Sequence, residues 1–408
     1  MLSVSNRTAQ LEGSPIRRLA PLAVAAKKAG KTVYHLNIGQ PDIPTPRSFM
    51  DGVKDAPIDV LSYSPSRGIA ETREAFVRYY ASFGIDLDPE ELSVTIGGSE
   101  GFTFAIQTAC NPGDEILIPE PFYPNYKGQA LVHGVKVVPI TTRIEDGFHL
   151  PPIEGIERLI TDRTRAILFS NPANPTGVAY TREELEGLAK LATEHDLFVI
   201  SDEPYRELTY DGEAVSILSL PELREHAILV DSISKRISAC GARLGCIASR
   251  NKDVISAIDK LSQIRLSPPT FSQYGLIAFL RDPGYKETIG RMVAKFRSRR
   301  DTLFDALGTI PGAVLRKPEG AFYIFVKFTQ IDDSEAFARF MLTDFDMDGE
   351  TVMVAPGAGF YATEGKGSNE VRLAYVLEEE KLIRAVSVLR AGLEAYVNRR
   401  AEATVEIR

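Results

Sequence analysis

Between residues 70 and 250 the chain alternates two kinds of hydrophobic spacing. Apolar residues three and four apart, over 70–83, 99–110 and 182–194, predict helices with one buried face. Between them lie short apolar runs bounded by Gly, Pro, Asn, Asp or Ser, at 92–96, 115–119, 135–140, 165–170, 197–201, 228–231 and 244–249. Uninterrupted runs of that length predict strands buried on both faces. Their alternation with helices implies an α/β unit around a mainly parallel central sheet.

The pattern changes twice. From residue 253 to 308 helical spacing dominates, and a smaller α+β unit follows. Its predicted strands are 313–316, 321–327, 352–355 and 370–375, and its last helix is 378–397. Residues 1–20 show no periodicity. A short helix at 21–30 ends at Gly30, and a strand leads into Pro41, Pro44 and Pro46, which forbid a regular element. The segment 21–38 is expected to pack with the C-terminal unit. The organisation read from this is an N-terminal arm with part of a small domain (1–46), a large domain (47–295) and a small C-terminal domain (296–408).

Composition excludes more than it assigns. Hydrophobic residues make up 44% and charged residues 25%, ordinary for a soluble enzyme. A net charge of −8 speaks against a nucleic-acid-binding surface but leaves room for a local basic pocket. Cys110, Cys240 and Cys246 form no CxxC pair, and the five histidines have no metal-ligand spacing, so no metal is expected. No signal-like start and no run of roughly 18 apolar residues is present, so the expectation is a cytoplasmic protein away from membranes.

The chemistry gathers at strand ends. RAILFS runs into NPANPTG, LFVIS into DEPY, and ILVDSIS into KRISACGARLG. In an open α/β sheet, ligands bind beyond the carboxyl ends of strands. Three polar tails at that edge define a pocket rim. Asp202 follows an apolar strand and needs a cationic partner, because a lone buried carboxylate is costly. Alone it reads more readily as a turn cap or an arginine's partner. Lys235 sits among Ser232, Ser234 and Arg243. A desolvated lysine beside a cation becomes a nucleophile, although most lysines are simply exposed. Ser232 and Ser234, two apart on extended chain, face one way, and with Arg243 they can bracket a phosphate. Gly97-Gly98-Ser99-Glu100-Gly101 joins a strand to a helix, where backbone N–H groups bind anions. It lacks the spacing of a dinucleotide or P-loop motif, and alone it is a plain turn.

Five motifs now stand in order: YSPSRG (63–68), NPANPTG (171–177), SDEPY (201–205), SISKRISACGARLG (232–245) and NEVRLAY (369–375). In these the chain resembles the class I/II aminotransferases, fold-type I pyridoxal-phosphate enzymes of the aspartate aminotransferase kind. The resemblance implies pyridoxal 5'-phosphate as cofactor, held by Lys235 as a Schiff base, the internal aldimine. It implies Asp202 as partner of the pyridine nitrogen, with Asn174 and Tyr205 on the 3-oxygen. Gly98, Ser99, Glu100 (through its backbone), Ser232, Ser234 and Arg243 would cradle the phosphate, and Tyr123 would stack on the ring. Tyr63 would reach the phosphate of a neighbouring subunit, which implies a homodimer with shared sites. Arg372, with the Gly39 backbone, would bind the substrate α-carboxylate; Asn174 would also contact substrate.

The implied activity is transamination: the amino group of an L-α-amino acid passes to a 2-oxo acid in ping-pong half-reactions, with glutamate and 2-oxoglutarate one pair. Lys235, Asp202 and Tyr205 would carry catalysis. A lyase on the same fold, or a non-catalytic cofactor-binding regulator, shares the same cofactor residues. The sequence also departs from relatives. Ala242 stands where many have an aromatic residue, and Ser99 where some aspartate-specific relatives have a lysine. The second departure suggests broad or neutral-leaning specificity. Tyr63, Tyr123, Ile16, Arg17 and Arg18 are the candidates to meet the substrate side chain.

Overall fold

The protein is described from a computed structural model covering residues 2–212 and 214–406. Its strands in chain order are β1 (Thr32–His35), β2 (Leu92–Thr95), β3 (Glu115–Glu120), β4 (Lys136–Thr141) and β5 (Thr164–Ser170). Then come β6 (Phe198–Asp202), β7 (Ala227–Ser232), β8 (Gly245–Ala248), β9 (Ala313–Leu315), β10 (Tyr323–Phe328), β11 (Glu350–Met353), β12 (Ala355–Pro356) and β13 (Glu370–Ala374).

Seven of these form one sheet in the order β2-β8-β7-β6-β5-β3-β4. The pairs from β7 to β4 are parallel, and β8 runs antiparallel to both β7 and β2. The apolar runs become central strands because both faces are covered. Leu117, Ile167, Phe169, Val199 and Leu229 enter the core on one face. Ile116, Ile118, Leu168, Ile200 and Val230 pack on the other against Phe102, Ala105 and Ile106 of the helix Gly97–Ala109. The helix Arg182–Glu194 begins where Thr181 and Glu184 form a reciprocal cap, a local signal the sequence carries openly.

The remaining strands make a four-stranded antiparallel sheet, β12-β13-β10-β9, and a parallel pair, β1 with β11. The N-terminal segment belongs to this second region by contact: Leu19, Ala23, Ala26, Val33 and Leu36 share a core with Phe328, Met353 and Leu373. Ala374 N–H also donates to the Leu36 carbonyl at 2.7 Å. The proline crossing that follows β1 is pinned by Arg299, whose fully buried guanidinium donates to both Asp42 carboxylate oxygens and to Glu378.

Several boundaries differ from the sequence reading. The helix expected from residue 99 starts at Gly97, since Glu100 folds back and accepts the Ile96 N–H at 2.8 Å. Asp202 is the last residue of β6 rather than the first beyond it. Arm residues 1–20 contain a one-turn helix, Asn6–Ala9, begun by the Ser5 hydroxyl. The final helix runs Glu379–Glu406, past the expected end at 397. Among the described residues no helix is long and apolar enough to cross a membrane.

Candidate active site

The carboxyl ends of β5 and β6 lie level, with Ser170 paired to Asp202, and β7 runs on past Val230, the partner of Asp202, to Ser232. Beyond them opens a cavity of about 720 Å³. Its lining includes Asn174, Asp202, Tyr205, Ser232, Ser234, Lys235 and Arg243 from the three tails. Gly98 and Ser99 join them from the helix start, and Tyr123 from the loop after β3. The second region supplies Tyr323 and Arg372, and the N-terminal segment Ser14, Ile16, Arg17 and Gly39.

Ser232 and Ser234 meet for a reason other than the one expected. The chain does not stay extended: Ser232 caps the one-turn helix Ile233–Arg236, accepting the Ser234 N–H, and its hydroxyl lies 2.8 Å from that of Ser234. Arg243, with φ +51°, turns back across the helix start. A side chain at Gly97, with φ +69°, would fall 2.7 Å from the Arg243 guanidinium, so glycine is required. Two hydroxyls, a guanidinium and a helix N-terminus therefore converge, a set of donors suited to a phosphate.

Asp202 accepts from the Tyr126 hydroxyl at 2.6 Å. Burial pushes its carboxyl up to about 7; the Tyr126 hydrogen bond and Lys235 oppose this, while the Asp231 and Glu203 charges add to it. No cation forms an ion pair with Asp202 among the described residues. A protonated ring nitrogen is the kind of partner that would remedy this. Lys235 Nζ donates to the Gly39 carbonyl at 2.8 Å and lies 3.8 Å from the Cys240 sulfur.

Arg372 is 1% exposed. Its Nη1 donates to Asn174 Oδ1 at 2.9 Å and its Nη2 to the Asn37 carbonyl at 2.5 Å. Its guanidinium lies over the rings of Tyr323 (4.4 Å) and Phe360 (5.1 Å). Nε has no hydrogen-bond partner, and no carboxylate pairs with the group among the described residues. An uncompensated buried charge costs several kcal/mol, so burial lowers this guanidinium's proton affinity. A carboxylate arriving from solvent removes that cost. The arrangement is an anion receptor across the cavity from a carboxyl group and an amine.

Tyr63, Glu100 and Arg18 do not line this cavity; the sequence reading sends Tyr63 to a neighbour's site and uses only the Glu100 backbone, so the departure is at Arg18. Tyr63 is 78% exposed and outside this chain's cavity. The Glu100 side chain points away from the cavity, held by Ile96 N–H and by Arg265 at 2.6 Å. Arg18 is engaged by Glu335 at 2.5 Å, whereas Arg17 beside it lines the cavity with no acidic partner among the described residues. Sequence reasoning missed Tyr126 and Tyr323. Tyr126 follows Tyr123 by three positions in EPFYPNY, a spacing that a helical turn makes adjacent, so a signal existed. Tyr323, whose hydroxyl is 2.9 Å from that of Tyr205, had none among the many aromatics of its strand.

A model of the family "Aminotransferase class I and II" matches residues 31–389. The chain is 32% identical to an aspartate aminotransferase of Bacillus subtilis, over 97% of this chain and 100% of that one. An aspartate aminotransferase of Thermus thermophilus, solved with maleate, superposes with a TM-score of 0.86 at 30% identity, covering 96% of this chain and 99% of that one. An alanine aminotransferase of Pyrococcus furiosus gives 0.88 at 33% identity, covering 96% and 100%.

The geometry predicts how Asp202 titrates. Tyr126→Phe removes the donor that favours the ionised form, so the Asp202 midpoint should rise from about 7 by roughly one unit. Because the folded value exceeds that of an unfolded aspartate, about 3.9, this carboxyl opposes folding increasingly as pH rises through the folded midpoint. The variant should therefore extend that loss to higher pH. Carbon-13 NMR of aspartate-labelled, ligand-free protein reads the midpoint; a value at or below that of wild type contradicts the assignment.

Proposed function

The chain belongs to the class I and II aminotransferases, and from that membership we infer that it moves an amino group between an L-α-amino acid and a 2-oxo acid with pyridoxal 5'-phosphate as its cofactor. The observation that carries this reading is the trio in one cavity: a half-buried Asp202 with no cation paired to it among the described residues, the Lys235 amine, and a buried Arg372 with no acid paired to it among them. Each lacks what a cofactor-bound amino acid offers.

In this reading Asp202 holds the ring nitrogen, and Gly98, Ser99, Ser232, Ser234 and Arg243 hold the phosphate, with the Glu100 backbone behind them. The Asn174 amide oxygen is occupied by Arg372, which leaves its NH₂ to donate to the 3-oxygen together with Tyr205. Tyr123 covers the ring. When bound, the cofactor supplies an electron sink for the carbon that loses its proton. Arg372 fixes the α-carboxylate by its planar fork, and its burial excludes water from that contact. The Lys235 amine, freed from the Gly39 carbonyl, takes up and returns a proton at Nζ.

Two further elements of the reading concern partners. Val60, Leu61 and Tyr63 are exposed, as are Ile264, Leu266 and Phe271. Hydrogen bonds from Ser64 to the Pro268 carbonyl and from Gln273 to Ser64 hold the two stretches side by side. An apolar patch of this kind suits a second copy of the chain, and we read the protein as a cytoplasmic homodimer in which Tyr63 serves the neighbour's phosphate. The large domain (47–295) then bears the cofactor, and the small one (296–408 with part of 1–46) brings Arg372. The substrate side chain meets Arg17. Ser99 carries no charge, so this arginine is the available receptor for an acidic side chain. The reading therefore shifts from the neutral donors that Ser99 suggested to aspartate and glutamate. The maleate of the Thermus structure, a dicarboxylate, suits the same preference.

Protein treated with pyridoxal 5'-phosphate and reduced with borohydride should carry the label at Lys235 alone in peptide maps. Lys235→Ala should lose at least about a thousandfold in transamination; near wild-type turnover in that variant rejects the cofactor role. Sedimentation should give twice the 44.9 kDa chain mass. Tyr63→Phe should then weaken cofactor binding by about tenfold, the scale of one charge-assisted hydrogen bond; a fully active monomer rejects the shared site. Arg17→Gln should lower kcat/KM for aspartate and glutamate by about tenfold, the scale of one exposed charge contact, and leave alanine within about threefold. Equal losses for all three donors would exclude Arg17 as the side-chain receptor.

A further inference from the structure

The residue after Lys235 points the other way. Successive positions on a helical turn project about 100° apart, and successive positions on a strand project to opposite faces. Ser232 and Lys235 line the cavity. Their neighbours Asp231 and Arg236 enter the protein behind it: Asp231 is fully buried, and the Arg236 side chain is 5% exposed. The two form an ion pair that joins the start of the one-turn helix Ile233–Arg236 to its end.

The pair is itself held. Asp231 accepts from the Tyr80 hydroxyl at 2.7 Å and from the Ser232 N–H at 2.6 Å. Arg236 Nε lies 3.3 Å from Glu207, and its guanidinium stacks 4.5 Å above the Tyr79 ring. A helix of four residues has no stability of its own, because nucleating one turn costs more than its single hydrogen bond returns. What keeps this turn in one conformation is therefore its anchorage. Taking the observed contacts together with the cofactor reading, on which this inference rests, we propose that Arg236 is a positioning residue for Lys235. Through the buried Asp231–Arg236–Glu207 array it fixes the turn from behind, so that the amine on the opposite side meets the cofactor's aldehyde carbon.

A planar fork is needed for this. One guanidinium hydrogen-bonds Asp231 through Nη2 and lies at ion-pair distance, without a hydrogen bond, from Glu207 at Nε, while its face covers Tyr79. An ammonium group at the same place keeps the charge but cannot make all three contacts.

The test compares two ligands on the cofactor-free full-length chain. Pyridoxal 5'-phosphate condenses with the Lys235 amine, losing water. Pyridoxamine 5'-phosphate carries an amine instead of the aldehyde and cannot, so it reports the rest of the pocket. For Arg236→Lys the Kd of pyridoxal 5'-phosphate should rise by about tenfold, while that of pyridoxamine 5'-phosphate stays within about threefold of wild type. Arg236→Gln should widen the same ratio further, giving the order wild type, lysine, glutamine. If the glutamine variant does not fold, the lysine variant decides alone. Equal weakening of both ligands, or no change in either, overturns the positioning role, since a general loss of structure would not discriminate between them. A wild-type chain that binds neither ligand overturns the cofactor reading and this role with it, whereas the failure of Arg236 alone leaves ordinary wild-type binding of both.

Discussion

Removing a charge from water is the constraint around which this molecule is arranged. An ion taken into a protein interior costs several kcal/mol unless something of opposite sign meets it. Behind the sheet edge that cost is met internally. Glu203 pairs with Arg206 at 3.0 Å, and Arg236 with Asp231 and Glu207, among aromatic rings. In front of the edge it is left unmet: among the described residues Asp202 has only a tyrosine as hydrogen-bond partner, and Arg372 only amide and carbonyl oxygens. The backbone's own alternation separates the two sets. At the strand ends Asp202 and Glu203, and Ser232 and Asp231, are chain neighbours that face opposite ways, and the helical turn that follows carries Lys235 and Arg236 about 100° apart. One set is paired within the fold; the other faces the cavity.

Completion of the cavity depends on chain segments far apart in sequence. Lys235 donates to Gly39 and Asn174 accepts from Arg372, so the two regions touch through the candidate site residues themselves. Gly39 has to be glycine because the Tyr323 hydroxyl occupies the position of its side chain. Arg299 holds the neighbouring Asp42, and Glu120 holds Ala362 and Thr363 beside Phe360, which lies under Arg372. Packing remote from the cavity thus sets the direction of the Arg372 guanidinium. Preorganisation of this kind is what makes a charged contact selective.

The amino-acid sequence by itself determined the order of elements, the parallel core and the edge at which chemistry occurs. Those features depend on local rules: apolar runs need two covered faces, helices need a 3.6-residue stripe and caps, and polar tails after apolar strands point to one rim. It also determined Lys235, Asp202, Asn174, Tyr205, Arg243 and Arg372 as candidates, since short motifs in fixed order survive without knowledge of packing. Tertiary structure decided the rest. Whether Arg17 or Arg18 faces the cavity turned on Glu335, 317 positions from Arg18, capturing one of them. That Tyr126 touches Asp202 and Tyr323 touches Tyr205 turned on contacts 76 and 118 positions apart. Ser232 and Ser234 converge through a helix cap where an extended strand was expected. The reason is physical: spacing along a chain reports which face a residue takes, but the identity of its partner is fixed only when distant segments compete to neutralise the same buried charge.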